Sequence, residues 1–298
     1  MGYVGALLMS DRDVQPDRLS SDDYQRVVSF IMSAVGIKLP ASKKTMVEGR
    51  LNRRARLLGI QSLSDYVAAV FDHGDHYDEV IHLIDAITTN KTDFFREPAH
   101  FQFLVKTVLP QMAKAGRVGK FWSAACSIGA EPYTLAMVLS DFALTSPGFR
   151  FSILASDVST KVLTKAARAV FPEEMVEPVP LAMRQRYLLR SRDPKKPMVR
   201  MAPEIRNLVR FARINLIEES YPADCDMDVI FCRNLLIYFD RETQEQVLRQ
   251  LLSHLAPGGY LILGHTDSIA GMNLHVEWLG NSIFRRKPHA EDQGSHRR

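Results

Sequence analysis

The chain is poor in cysteine, with three, Cys126, Cys225 and Cys232, in 298 residues. Their spacing makes neither a metal-ligand set nor a disulfide framework, so no resident metal is implied and a reducing, cytoplasmic location is expected. No apolar run approaches the ~20 residues of a membrane span, and no membrane insertion is expected. Residues 3–9 are mildly apolar but lack a basic leader and run into Asp11, Arg12 and Asp13, which argues against a secretory signal. Ala6 stands where a myristoylation site after Gly2 needs Ser or Thr. Two nucleotide signatures are also missing: the G-x-G-x-x-G with which a dinucleotide fold cradles pyrophosphate, and an N-P-P-aromatic motif for handling a base. What remains is ordinary in bulk, 46% hydrophobic and 24% charged, with a formal net charge of +4 that permits an acidic partner.

The stretch around which the chain is organised is residues 120–133, KFWSAACSIGAEPY. An apolar run through Phe121 and Trp122 stops at small residues and at Gly129. Glu131 and Pro132 then open a segment periodic at Tyr133, Leu135, Ala136, Val138 and Leu139. Strand, tight turn and helix are expected, since proline in the first helical turn loses no hydrogen bond and the small residues let a ligand approach backbone. An acidic residue where pyrophosphate would meet the helix start disfavours a phosphate ligand. S-adenosylmethionine (SAM), which carries a sulfonium and an ammonium group and no phosphate, suits such a loop better. The alternative is that Gly129 only ends a strand and Glu131 only favours the helix dipole. Cys126 in this loop is either a reactive thiol or a small space-filling residue.

Taken in order, residues 1–19 are polar and aperiodic and are expected to be disordered. Four helices follow within residues 20–88, starting near Ser20, Ser42, Ser62 and Tyr77. The second is strongly basic, and Lys43, Val47, Arg50 and Arg54 fall on one side of it, with Arg53 and Arg56 nearby. Such a face is either simply solvated or a docking surface for something acidic. Residues 88–97, TTNKTDFFRE, join this bundle to a larger α/β domain expected over residues 89–287. Phe94 and Phe95 in a connector ordinarily pack an interface, and Arg96 can bond backbone carbonyls.

Residues 151–156, FSILAS, read as a buried parallel strand ending at Asp157. An acid there either grips a ribose diol or caps the following helix. Residues 172–203 break the alternation: residues 186–190 and 198–201 flank the turn SRDPKKP as a hairpin would, and residues 208–211 offer another strand. A small antiparallel subdomain over about residues 177–212 is expected, its edge able to add a partner's extended peptide. Residues 228–232, DVIFC, form the next parallel strand, with Arg233 and Asn234 at its carboxyl end, where ligands of open α/β sheets bind. Asp240 caps a further helix, and residues 260–263 and 282–286 are the last expected strands before a polar tail over residues 288–298.

Five segments in this order, TTNKTDFFRE, WSAACSIGAEPY, ASDVS, FCRNLLIYF and LAPGGYLILGHTDS, behind a basic helical bundle, resemble the bacterial chemoreceptor glutamate O-methyltransferases. The resemblance runs from about Asp22 to Arg286. It implies a Rossmann-like SAM-dependent methyltransferase domain carrying a small antiparallel subdomain, preceded by an all-α domain that docks on receptors. It implies that residues 88–97 close over the cofactor, making Asn90, Thr92 and Arg96 candidate ligands. Glu131 would face the methionine ammonium group and Asp157 the ribose hydroxyls, with Asn215 and Leu216 beside the adenine and Arg233 and Asn234 at the fourth strand's end. Arg96 and Tyr238 would lie near the transferable methyl.

The implied reaction transfers that methyl to receptor glutamates, giving methyl esters and S-adenosylhomocysteine for adaptation in chemotaxis. Lys43, Arg50, Arg53 and Arg54 would guide in the receptor's acidic helical bundle. Two features depart from the family's pattern. Ala130 replaces the first of two acids that commonly follow the loop glycine, and SRDPKKP lacks the glycines of the turn through which some members hold a peptide at the receptor's end. Two other classes share parts of this pattern. A non-catalytic SAM-fold signalling module would keep the fold without turnover. A nucleic-acid methyltransferase would need aromatics interleaved in the basic cluster, which has none, so no nucleic-acid partner is expected.

Overall fold

The computed structural model describes residues 17–72, 77–88 and 90–288. Most of the expected disordered start, nearly all of the polar tail and Thr89 of the connecting motif lie outside the described residues. Two compact units are present. Of the described residues, the first holds those up to Phe30 together with those from Leu39 to Ile87, and the second holds Ile31–Lys38 and those from Thr88 onward.

Helix α1 (Ser21–Val35) starts where Ser20 Oγ accepts the Asp23 N–H at 3.0 Å. After a 3-10 turn come α2 (Lys44–Leu57), then α3 (Leu63–Phe71), whose cap Ser62 accepts the Asp65 N–H at 3.0 Å, and α4 (Tyr77–Ile87). These caps satisfy amide donors that a helix start otherwise leaves unpaired. Val27, Val47, Leu51, Leu63 and Leu83 are all fully buried in the first unit's core.

Of the expected row Lys43, Val47, Arg50, Arg54, the last three lie on one side of α2, but much of it turns inward. Arg50 donates to the Ile87 carbonyl at 2.6 Å and the Ala86 carbonyl at 3.3 Å, closing the end of α4 as a cation at a helix C-terminus does. Arg54 forks onto Glu79 with bonds of 2.7 and 2.6 Å, and the Tyr66 hydroxyl donates to the same carboxylate at 2.9 Å. Arg53 and Arg56 are exposed, and Lys43, half-buried, precedes α2.

The second unit opens with α5 (Ala99–Phe103), a turn of π-helix and α6 (Leu109–Ala115). Strands and helices then alternate: β1 (Gly119–Ala124), α7 (Ala130–Thr145), β2 (Phe151–Asp157) and α8 (Thr160–Arg168). An excursion follows through β3 (Val170–Pro172), α9 (Leu181–Tyr187), β4 (Leu188–Arg190), β5 (Met198–Met201) and α10 (Pro203–Arg206). The chain returns with β6 (Val209–Arg213), β7 (Met227–Cys232), α11 (Arg241–His254), β8 (Leu255–Leu263), β9 (Val276–Gly280) and β10 (Ile283–Arg286).

The main sheet has the order β6-β2-β1-β7-β8-β10-β9. Its first five strands are parallel, and β10 runs antiparallel to both neighbours. The strand order reverses between β1 and β7, which opens a crevice at their carboxyl ends. Adjacent residues of a strand face opposite sides. Thus Phe121 joins the core containing Tyr133 and Phe231, while Trp122 joins the one containing Leu248 and Leu251.

Two expectations need correction. The strand near residues 208–211 is not part of the antiparallel insertion: β6 pairs in parallel with β2, Val209 opposite Ile153, as an edge of the main sheet. The small sheet instead begins earlier and has the order β3-β5-β4. Strand β9 was not anticipated, because as an edge strand it keeps no buried alternation, and Trp278 at its centre is 69% exposed.

Candidate active site

The crevice is built on segments that leave strand ends in unusual backbone conformations. Phe95, Glu97, Ala125, Ser127 and Asn234 all have φ between 52° and 59° without being glycine. Each such residue costs on the order of 1–3 kcal/mol, a strain that persists only where surrounding contacts hold it. Gly129, at φ 95°, begins α7 where an added Cβ would meet the Ala166 side chain at 3.0 Å. The sequence marked Gly129 by its type, but nothing in the residue types marked Phe95, Ala125 or Ser127.

Glu131 lies in the first turn of α7 and is buried. One of its oxygens accepts from Ser123 Oγ at 2.6 Å and the other from Arg233 Nη1 at 3.0 Å. Arg233, at the end of β7, also donates to the Arg96 carbonyl and pairs with Glu97 at 3.1 Å. One buried guanidinium therefore gathers the FFRE segment, the central loop and the fourth parallel strand. The sequence placed Arg233 only at a strand end, and did not foresee that Glu131 would have it as a partner. A carboxylate has about four acceptor positions, so two bonds leave room on Glu131 for an ammonium group.

Asp157 ends β2. Its Oδ2 accepts from the Ser127 N–H at 2.9 Å and its Oδ1 from the Ser159 N–H at 3.0 Å. The cap of α8 is Ser159, whose hydroxyl accepts the Val162 N–H, so the capping role belongs there. The Asn90 carbonyl accepts from Ser127 Oγ at 3.0 Å, and the Phe95 N–H donates to Thr134 Oγ1 on α7 at 3.2 Å. Two bonds thus pin the 90–97 segment to the central loop and its helix. Thr92 and Arg96 lie half-buried in that segment, the Arg96 guanidinium donating to the Lys91 carbonyl at 3.3 Å.

The structure gathers Arg96, Glu131 and Arg233 in one bonded network and Asn90 and Asp157 in a second through Ser127, the two meeting along the 90–97 segment and the central loop. Asn234 stands beside Arg233, its N–H donating to Asp267 at 2.6 Å. Asp267 and Gly264 are residues the sequence reading missed: a Cβ on Gly264 would lie 2.4 Å from the Asn234 amide nitrogen. Tyr238 sits in a 3-10 turn after β7. Asn215 and Leu216 follow β6, and the Asn215 amide is committed to the Ala34 carbonyl at 2.8 Å.

Electrostatics follow from burial and this network. Burial raises the Glu97 carboxyl, but the Arg233 charge and hydrogen bonds, with the His265 N–H, outweigh it and hold the group below the usual range. Burial and the Arg233 charge push His100 down to about 4, so its ring is neutral at neutral pH. Burial, with the charges of Asp157 and Glu131, raises the Cys126 thiol and so disfavours the reactive thiolate. Asp267 is raised by burial against the pull of several backbone N–H groups.

A doubly wound sheet with one buried acid in the first turn of the helix after β1, another at the end of β2, and no phosphate-binding glycine loop defines a class of cofactor-dependent α/β transferase whose cofactor bears positive charge. The comparisons specify it. Residues 90–284 match the CheR methyltransferase, SAM binding domain, and residues 22–88 the CheR methyltransferase, all-alpha domain. The chemotaxis protein methyltransferase of Escherichia coli is 36% identical over 89% of this chain and 91% of its own length. Chemotaxis protein methyltransferase 2 of Pseudomonas aeruginosa is 37% identical over 88% and 92%, and the Borreliella burgdorferi chemotaxis protein methyltransferase 31% over 90% and 95%. The chain belongs to the CheR methyltransferase family. It is a SAM-dependent methyltransferase, as the resemblance of its five motifs implied.

Proposed function

We propose that this protein methylates glutamate side chains on the cytoplasmic domains of chemoreceptors, forming methyl esters for adaptation in chemotaxis. The observation that carries this reading is the Arg233 network, which joins the FFRE segment to two strand ends at the crevice. Its supporting context is the set of relatives named as chemotaxis protein methyltransferases.

The donor set fits SAM. Glu131 suits the ammonium group and Asp157 the ribose diol, while an acid in the first turn of α7 repels phosphate from the helix start. Asn90, Thr92, Arg233 and Asn234 complete the holding residues, and Asn215 and Leu216 flank the adenine side. When bound, SAM supplies an electrophilic methyl on a sulfonium. The acceptor, a glutamate with an ordinary pKa of ~4.3, is already ionised at neutral pH, so no strong general base is required. Arg96 orients the incoming carboxylate and Tyr238 supports its placement. The protein's contribution is alignment and exclusion of water.

Receptor docking rests on the exposed part of α2. Arg53 and Arg56 meet the acidic bundle, with Lys43 at the helix start, while Arg50 and Arg54 shape the surface by holding α4 in place. The β4–β5 hairpin is the place where a receptor's terminal peptide would add.

The test is transfer of labelled methyl from SAM to chemoreceptor-containing membranes, followed by alkali and collection of volatile methanol. Base-labile label on the receptor is expected. Base-stable label, or SAM binding without transfer to any receptor supplied, would refute the carboxylate substrate.

A further inference from the structure

We propose that Glu97, His100 and His265 form a binding site for one divalent transition-metal ion of the zinc type. One ligand atom from each lies within 4.8 Å of the others. His100 Nδ1 is 3.5 Å from Glu97 Oε2, and His265 Nε2 is 3.9 Å from the same oxygen. A zinc ion held about 2.0–2.2 Å from each donor needs donors about 3–4 Å apart. His265 is exposed, so its side chain has room to turn towards the other two donors.

The decisive observation is His100. Its ring is completely buried, and its Nε2 lies 2.7 Å from the Asn281 carbonyl. A carbonyl accepts only, so Nε2 carries the proton and Nδ1 presents a lone pair. That Nδ1 has no hydrogen-bond partner. A buried lone pair facing a carboxylate oxygen is repulsive unless something positive stands between them, and leaving it unmatched costs free energy. The Asn281 carbonyl performs the task of the outer hydrogen bond that fixes tautomer and ring direction in histidine metal sites.

Two imidazoles and a carboxylate suit zinc and its first-row neighbours, not magnesium or calcium, which prefer all-oxygen sets. The neighbouring Arg233, paired with Glu97 at 3.1 Å, lowers affinity for any cation and makes the site weaker than a structural zinc centre. A bound ion would share Glu97 with Arg233, so metal occupancy would bear directly on the network at the crevice.

The experiment uses the full chain after chelator treatment, titrated calorimetrically with Zn²⁺, with Co²⁺ absorption as a second readout. One equivalent is expected to bind. His265→Ala, chosen because His265 is exposed and its loss spares the fold, should weaken that binding by more than the roughly 10- to 100-fold that losing a supporting hydrogen bond costs a metal site. Glu97→Gln should weaken it likewise, with Co²⁺ bands diminished in both variants. No stoichiometric binding to the parent protein, or binding unchanged in His265→Ala, would overturn the proposal. Unchanged binding would place the ion on other groups of the chain.

Discussion

Arg233→Met is the substitution that most directly tests how the crevice is held together. Methionine keeps a flexible stem of similar length over the Phe101 ring, which the guanidinium now overlies at 5.8 Å, but removes every hydrogen bond and the charge. The Arg233 side chain is 3% exposed, and its partners Glu131 and Glu97 are 10% and 12% exposed. The two carboxylates would be left buried without their cation. Removing one partner of a buried pair costs about 3–5 kcal/mol, because the survivor keeps its desolvation penalty. Urea unfolding at neutral pH, with SAM binding measured alongside, should show a loss of that size.

The pH dependence gives a second constraint. In the parent protein Glu97 is held below its ordinary carboxyl value, so it contributes stability above that value and loses it as pH falls through the lowered one. Without Arg233, the burial that opposes ionisation has less against it, and protonation relieves the variant as pH falls. The gap between the two proteins should therefore be widest at neutral pH and narrow on acidification, starting above the ordinary carboxyl value and continuing down through the lowered one. A loss under about 1 kcal/mol, the scale of an exposed pair, or a gap that widens on acidification, would refute the network's structural role.

Arg54→Ala should destabilise the first unit by about 3 kcal/mol by leaving Glu79 buried. The exposed Arg53→Ala should stay within about 0.5 kcal/mol in the same urea titration, yet slow receptor methylation at low salt; equal methylation rates would remove Arg53 from docking. Gly129→Ala should cost about 1–3 kcal/mol, because a Cβ is strained at φ 95° and crowds Ala166, and an unchanged denaturation midpoint would contradict that geometry. Asp157→Asn, which keeps the size but offers a ribose diol one accepting atom and no charge, should weaken SAM binding by about 1.5–3 kcal/mol, and calorimetry showing undiminished affinity would remove Asp157 from the cofactor site.

Periodicity and turn chemistry made the crevice's frame legible. Phe121 and Trp122 before small residues, and Glu131 and Pro132 before an apolar period, predicted strand, loop and helix, and the structure has β1, the loop and α7 there. The same reasoning found β2, β7 and the hairpin around SRDPKKP. It assigned the strand at Val209–Arg213 to the wrong sheet, since its residues fit either an antiparallel insertion or a parallel edge, and only long-range pairing with β2 decides. Helical steps put Arg50 and Arg54 on one side of α2, while Lys43 falls in the 3-10 turn just before it. Which way that side turns depended on Glu79, 25 residues from Arg54, and no local pattern carries that information.

The site was legible to the extent that single residues at strand ends announce themselves by type. What was not legible is the polar network, because its bonds join residues far apart in sequence: Arg233 reaches Glu97 across 136 positions, and His265 reaches it across 168. The backbone explains why such bonds are concentrated there. Five non-glycine residues in left-handed conformations turn the crevice segments, and strain of ~1–3 kcal/mol apiece relaxes unless contacts from several elements hold it. Arg233, Asp157 and Ser127 supply bonds that hold these segments, and Arg233 and Asp157 are also candidate cofactor ligands. Their two roles separate only when stability and SAM affinity are measured on the same variants. Arg233→Met should move both, and Asp157→Asn should lower stability as well as affinity, since it gives up one of the bonds from Ser127 and Ser159.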